Sequence, residues 1–239
     1  DSYDRFRGRL IFPIESLAGK VVGFGGRVLG AGREGTPKYV NSPESPIYHK
    51  GEILYGLSWA KNAIRRRETA LMVEGYMDVV SLAAAGFDNA VAPLGTAVTS
   101  DQVALLHRFT SRIDLLFDGD AAGLKATFRA ADLLLAGSVH PCVVTLPPGE
   151  DPDTIVHSEG AETLQSHIDG AVDVLDRKLQ ILEERDHFRS IEHTRTAIDR
   201  LLPTLRAVQD PALRDIYIKK VSDRTGVRRD TLEAELARV

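Results

Sequence analysis

The rhythm of apolar and polar positions changes twice along the chain. Residues 1–67 place short β-like runs, Arg9–Ile14 and Lys20–Phe24, among glycines and prolines. Residues 69–146 alternate short apolar runs with helix-like stretches. Strands are expected over Ala70–Val73, Asn89–Ala92, Arg112–Phe117 and Val139–Leu146, and helices over Met77–Ala85, Gln102–Phe109 and Ala121–Ala136, with Thr99-Ser100-Asp101 capping the second. Strands and helices alternating with short connections predict a mostly parallel sheet covered by helices on both faces. From about residue 160 no strand pattern remains, and Ala171–Glu184, Ile191–Leu202, Pro211–Thr225 and Asp230–Val239 read as a small helical bundle. The expected fold class is α/β, with a mixed α+β segment at 1–67, the sheet domain at 68–158 and the helical part at 159–239. No internal repeat is visible.

Composition narrows the functional classes. Apolar residues make up 43% of the 239 positions and charged residues 27%, which is ordinary for a soluble globular chain. No apolar run approaches the roughly 20 residues needed to cross a bilayer, and Asp1-Ser2-Tyr3-Asp4-Arg5 lacks the order of a signal peptide. One cysteine, Cys142, excludes a disulfide framework and a multi-cysteine zinc site within these residues. A cytoplasmic enzyme without a membrane partner is the expectation. The net charge of −4 argues against a nucleic-acid binder, but its distribution does not. Residues 1–67 hold 12 Lys/Arg against 6 Asp/Glu, and residues 68–239 hold 18 against 28. A basic first third could track phosphates while the acidic remainder holds cations.

Three acidic clusters follow three expected strands. Leu71-Met72-Val73 runs into Glu74, Leu115-Leu116-Phe117 into Asp118-Gly119-Asp120, and Val143–Leu146 into the loop that carries Asp151 and Asp153. The carboxyl ends of parallel strands share one edge, where ligands bind, so neighbouring strands would bring these acids together. Close carboxylates repel by about 3 kcal/mol per pair at an effective dielectric of ~20, and a hard cation removes that cost. Oxygen-only ligands favour Mg2+ or Mn2+ over zinc. Any one acid after a strand is as well explained as a helix cap, Asp120 before Ala121 above all. Gly119 between the two acids would permit an unusual backbone angle and a close approach.

Other motifs carry less. Gly23-Phe24-Gly25-Gly26-Arg27-Val28 fails the dinucleotide fingerprint at Val28 and lacks the ending of a P-loop, which leaves a tight β-turn near Arg27. His187 and His193 are expected in a solvated polar turn, and Arg65-Arg66-Arg67 on a solvated face or against nucleic acid. Arg5, Arg7 and Arg9 alternate with Phe6, Gly8 and Leu10; on a strand they would align three guanidinium groups on one face, either facing phosphates or protecting an edge.

Glu74-Gly75-Tyr76-Met77-Asp78-Val79 followed by Asp118-Gly119-Asp120-Ala121-Ala122-Gly123 resembles the Toprim signature of primases, topoisomerases and some nucleases. The flanking segments are more specific. Arg5–Ile14, Gly23–Arg27, Pro37–Glu44, His49-Lys50-Gly51 before Leu54-Tyr55-Gly56, Leu94–Ala97 and Pro148–Asp153 resemble, in order, motifs of the bacterial DnaG-type primases. The resemblance covers residues 3–157 strongly and reaches weakly to Leu213–Tyr217 in the helical tail.

The resemblance implies a Toprim-type sheet and a nucleotidyltransferase, a DNA-directed RNA polymerase that joins ribonucleotides into primers. Glu74, Asp118 and Asp120 match catalytic, metal-binding acids, with Asp151 and Asp153 beside the metals. Arg27, Lys38, Asn41 and Lys50 match positions on the nucleotide side, and Arg5, Arg7 and Arg9 the basic motif for template. The implied cofactor is Mg2+, with Mn2+ substituting. The implied partners are single-stranded DNA, NTPs and the RNA–DNA hybrid product, the enzyme acting as a monomer. Such primases also carry a zinc module before the core and a helicase-binding domain after it. The chain is therefore expected to be a fragment, with zinc bound only outside it and the replicative helicase contacted beyond Val239. Another Toprim enzyme, a nuclease or topoisomerase, and a non-catalytic binding fragment remain as alternatives.

Overall fold

A computed structural model of the chain describes residues 4–30 and 35–238; Val239, the last residue of the final expected helix, lies outside them. Strands β1 (Arg9–Glu15), β2 (Val21–Val28) and β3 (Tyr39–Asn41) form an antiparallel three-stranded sheet in that order. In β1 the period of two is plain, with Phe12 and Ile14 buried and Ile11 and Pro13 exposed. The register pairs Arg9 with Val28 and Ile14 with Gly23, then slips at Glu15.

Two expectations for this segment fail. The glycine run lies inside β2 rather than at a turn near Arg27. A Cβ at Gly25 would stand 2.8 Å from the Tyr76 ring, so the glycine answers a close approach and not a reversal of the chain. The aligned arginine row also dissolves: Arg5–Gly8 form a turn, with Gly8 at φ 67°, and only Arg9 enters the strand.

A 3-10 turn at Lys50–Glu52 leads to α1 (Leu57–Arg67), a helix the glycine-rich composition concealed. Then follow β4 (Ala70–Met72), α2 (Tyr76–Ala84), β5 (Ala90–Val91), α3 (Ser100–His107), β6 (Arg112–Leu115), α4 (Ala121–Ala136) and β7 (His140–Val143). The helix cap expected at Thr99 is present, its hydroxyl accepting from Gln102 N at 3.1 Å. After β7 come α5 (Pro152–Ser158), α6 (Ala161–Asp169), β8 (Val172–Asp173), α7 (Val174–Glu184), α8 (Ile191–Ala207), α9 (Pro211–Thr225) and α10 (Arg229–Ala237).

The second sheet has the order β5-β4-β6-β7-β8. Its first four strands are parallel, and β8 adds antiparallel to β7. Two residues are too short a run to show a period, so β8 overturns the expectation of no strand beyond residue 160. Every residue of β4 is buried, as in a strand covered on both faces. One core joins α1, α3, α4 and the helical tail through residues such as Ile64, Leu106, Leu134 and Leu201. The other joins β1, α2, α5 and α6 through Phe12, Tyr76, Leu82 and Ile155. Helix α8 runs past its expected end at Leu202 and through Pro203, because Leu201, Leu202 and Leu205 are held in the core.

Candidate metal centre and nucleotide cleft

Strands β4, β6 and β7 are immediate neighbours, so the segments that leave them do share one edge. Glu74 follows β4, and its Oε1 accepts from Asp118 N at 3.2 Å after β6. The loop after β7 is laced to the same place, with Gly119 N donating to Glu150 O at 2.9 Å. Gly119 keeps φ out of the left-handed region; its need is space, since a Cβ would stand 2.3 Å from Pro147 O.

Each acid but one is tied down by one oxygen. Asp120 caps α4, accepting from Gly123 N at 2.7 Å, and Asp151 caps α5, accepting from Thr154 N at 2.6 Å. Asp153 accepts from Ser81 Oγ and lies 3.0 Å from His157 Nδ1. The cap reading and the metal reading of Asp120 are thus compatible, because one carboxylate oxygen remains. Among the described residues, Asp118 alone of these acids has a side chain in no hydrogen bond or ion pair with the protein.

The electrostatics follow from this arrangement. Burial raises Asp118 to about 6, and Glu74, Asp151 and Asp120 push the same way while Lys38 opposes them. Glu74 is raised by burial and by Asp120, against the Asp118 N–H. Sequence reasoning missed Asp78. It accepts from Gly75 N at 2.9 Å in the first turn of α2. Burial raises it to about 7, against that N–H, with Asp118, Asp151 and Asp153 adding to the rise. Its signal was its place four residues after Glu74, one helical turn on.

Among the described residues no three His, Cys, Asp or Glu side chains already stand in a geometry that could hold a metal ion. The chemistry of the set nonetheless fits a hard divalent ion: oxygen donors, partly buried and mutually repelling.

The small sheet supplies the opposite wall. Tyr39 lies with its ring near Arg27 (6.0 Å) and Lys38 (5.9 Å). Its hydroxyl is raised by burial, with Asp78 and Asp153 adding and Arg27 opposing. Asn41 donates to Leu94 O at 2.9 Å and accepts from Tyr76 Oη. Arg27, Lys38 and Asn41 thus come together beside the acids. Lys50 is placed by its backbone, its N–H donating to Glu44 at 3.1 Å and its carbonyl accepting from Gln102 at 2.9 Å. Arg9 is spent inside the sheet, donating to Pro37 O at 2.9 Å, Gly26 O at 3.2 Å and Lys38 O at 3.3 Å. Arg5 and Arg7 are exposed.

Elsewhere, Arg66 and Arg67 each reach Asp88 at 2.9 Å, and Arg65 lies 4.8 Å from the Phe109 ring. The rings of His187 and His193 pack at 5.7 Å, with His193 exposed as expected and His187 half-buried.

Comparison with known proteins agrees with this geometry. Residues 1–61 match the N-terminal domain of the DNA primase catalytic core, and residues 71–156 match a Toprim-like domain. A crystal structure of a DNA primase domain from Pseudomonas aeruginosa superposes with TM-score 0.89 at 37% identity, over 99% of this chain and 74% of that one. The chain belongs to the bacterial DNA primase family. The DNA primase of Clostridium acetobutylicum is 41% identical over 231 residues, 96% of this chain but only 38% of that protein. A DnaG primase catalytic domain bound to single-stranded DNA superposes with TM-score 0.83 at 38% identity, over 96% of this chain and 73% of that one. Residues 178–230 match a family described as the DnaB-helicase binding domain of primase. That match falls within the helical tail, whereas the expectation placed the helicase contact beyond Val239. No helix among the described residues is long and apolar enough to cross a membrane.

Proposed function

We propose that the chain carries the polymerising centre of a primase, joining ribonucleotides on single-stranded DNA into short primers. The observation that carries this reading is the pairing of opposites across the cleft. Arg27 and Lys38 flank the Tyr39 ring at 6.0 and 5.9 Å, and that ring packs against Tyr76, 5.8 Å away in the first turn of α2 that also carries Asp78. A cationic wall facing a carboxylate site suits a triphosphate held against a 3′-hydroxyl, whose negative charge exceeds what the metal ions cancel.

In the reaction, the primer 3′-hydroxyl oxygen bonds to the α-phosphorus of the incoming NTP. The bond to the β-phosphate oxygen breaks, pyrophosphate leaves and the hydroxyl gives up its proton. Such chemistry is chiefly positioning and charge neutralisation. Mg2+, with Mn2+ able to replace it, would neutralise the triphosphate and acidify the attacking hydroxyl when held by Glu74, Asp118, Asp120, Asp151 and Asp153. Glu74 also fixes the Asp118 segment through the Asp118 N–H. Arg27, Lys38 and Lys50 bind phosphates, and Asn41 ties β3 to the start of α2 through Tyr76 and to the loop after β5 through Leu94. Arg5 and Arg7 take the template, which emerges as an RNA–DNA hybrid, while Arg9 shapes the β2–β3 connection that presents Lys38. The working division is a basic subdomain at 1–67, the Toprim domain at 68–158 and a helical subdomain at 159–239. The match of residues 178–230 to a helicase-binding family supports a contact between the helical subdomain and the replicative helicase.

The test is to incubate single-stranded template, labelled NTPs and Mg2+ or Mn2+ with the wild type and with Asp118→Asn. Short RNA from the wild type alone is the expected result. Template cleavage without RNA would replace the reading with a nuclease, and silence from both proteins would leave a binding fragment.

A further inference from the structure

A groove of about 400 Å3 opens between the first turns of α4 and the helices α7 and α8. Its floor is apolar, built by Leu182 and Leu201, both buried, with Leu124 and Phe128 half-buried above them. Its rim is cationic: Lys125 from α4, Arg185 from the end of α7 and Arg200 from α8, all exposed. No carboxylate lines it. Among the described residues none of these three cations takes part in an ion pair, whereas Arg177 and Lys178 on α7 and Arg195 on α8 are paired. Arg200 spends one N–H on His187 Nε2 at 3.1 Å.

Place decides what such a groove receives. Helix α4 begins at Asp120, whose carboxylate belongs to the acidic edge. Lys125 lies five residues on, about 7.5 Å along the axis. Ala121, the residue after Asp120, also lines the groove, so one end of it adjoins the acidic edge. An anion bound there needs charge for the three cations and an apolar face for the floor. A nucleic-acid strand supplies both, as phosphates along the rim and a base on the floor. We infer that the α4–α7–α8 groove holds the phosphodiester backbone of the strand whose end reacts at the acidic edge, and that Lys125, Arg185 and Arg200 are its phosphate contacts. The assignment rests on reading that edge as the reacting end.

The test is fluorescence anisotropy of the full chain with a labelled single-stranded DNA and with a labelled RNA–DNA duplex, over a series of salt concentrations. The triple variant K125E/R185E/R200E should bind at least about tenfold more weakly at low salt. Its single-strand log–log salt slope should be shallower by about two, since each of three phosphate contacts contributes ~0.7. A larger loss on the duplex is the expected result for a groove that holds the growing strand; a larger loss on the single-stranded DNA would place the template there and overturn the assignment. Should the triple reversal fail to fold, the single variants Lys125→Gln, Arg185→Gln and Arg200→Gln should each weaken binding and lower the slope by about 0.7. Strand binding equal to wild type in these variants overturns the inference while leaving primer synthesis to be judged by its own assay. Absence of primer synthesis by the wild type, with the variant effect on strand binding intact, sinks the primase reading alone. Weakened binding of free NTP or pyrophosphate with unchanged strand binding would make the groove a small-anion site and overturn the assignment.

Discussion

Strand β6 and the loop that leaves it carry the same residue under opposite conditions. Asp114, inside the strand and 2% exposed, is met by Arg112 Nε at 3.0 Å and Thr69 Oγ1 at 3.3 Å. Asp118, in the loop, is part-buried, has no such partner and is surrounded by acids. Near the start of the strand Arg66 and Arg67 also close on Asp88. One edge of the sheet thus balances its charges internally and contributes to holding the fold. The other leaves repulsion uncancelled, which is what a site awaiting a cation and a polyanion requires.

The sharpest break of this contrast is Asp118→Asn. Removing a carboxylate that supplies several kcal/mol of transition-state charge balance should lower primer synthesis by roughly a thousandfold. The metal-free protein should melt no lower than wild type, since no protein bond to that side chain is lost. Arg112→Ala makes the reverse trade. It strands a buried carboxylate and should cost about 2–3 kcal/mol in urea unfolding, less than for a fully buried pair because the Arg112 side chain is 50% exposed, with primer synthesis retained below the melting temperature. Gly119→Ala drives a methyl into Pro147 O and should cost about 1–3 kcal/mol, together with loss of Mn2+ binding by calorimetry.

The pH dependence should carry the sign of the acidic edge. Asp118 and Asp78 are raised in the folded state, so their contribution is fully present below the ordinary carboxylate value of 3.8 and is lost as pH rises through about 6 and about 7. In EDTA the melting temperature should fall by a few degrees between pH 5 and pH 8, a modest amount because water screens part-buried groups. Mn2+ should restore more at pH 8 than at pH 5. A metal-free protein more stable at pH 8 than at pH 5 would refute the contrast. The smallest effect belongs to Arg66→Ala, whose exposed pair with Asp88 should be worth under about 0.5 kcal/mol.

The parallel sheet and its acidic edge were legible because buried strands leave apolar runs and the acids stand directly after them. Helix α4 fell on its expected residues, bounded by an Asp cap and a Gly. What escaped was set by partners distant in sequence. The Gly25 strand position depends on Tyr76, and the diversion of Arg9 depends on the carbonyls of Pro37 and Lys38. Asp78 reads locally as a helix-turn residue, and only the fold reveals that three other acids face it. Strand β8 exists because β7 offers an edge.

The helix caps at Asp120 and Asp151 have a consequence for descent. A lineage that no longer needed catalysis could replace Asp118 at no structural cost, but replacing Asp120 or Asp151 would fray the start of α4 or α5. Sequence decay in such a lineage should therefore be uneven. Retained capping acids would be poor witnesses of activity, and the residue at the position of Asp118 the better one.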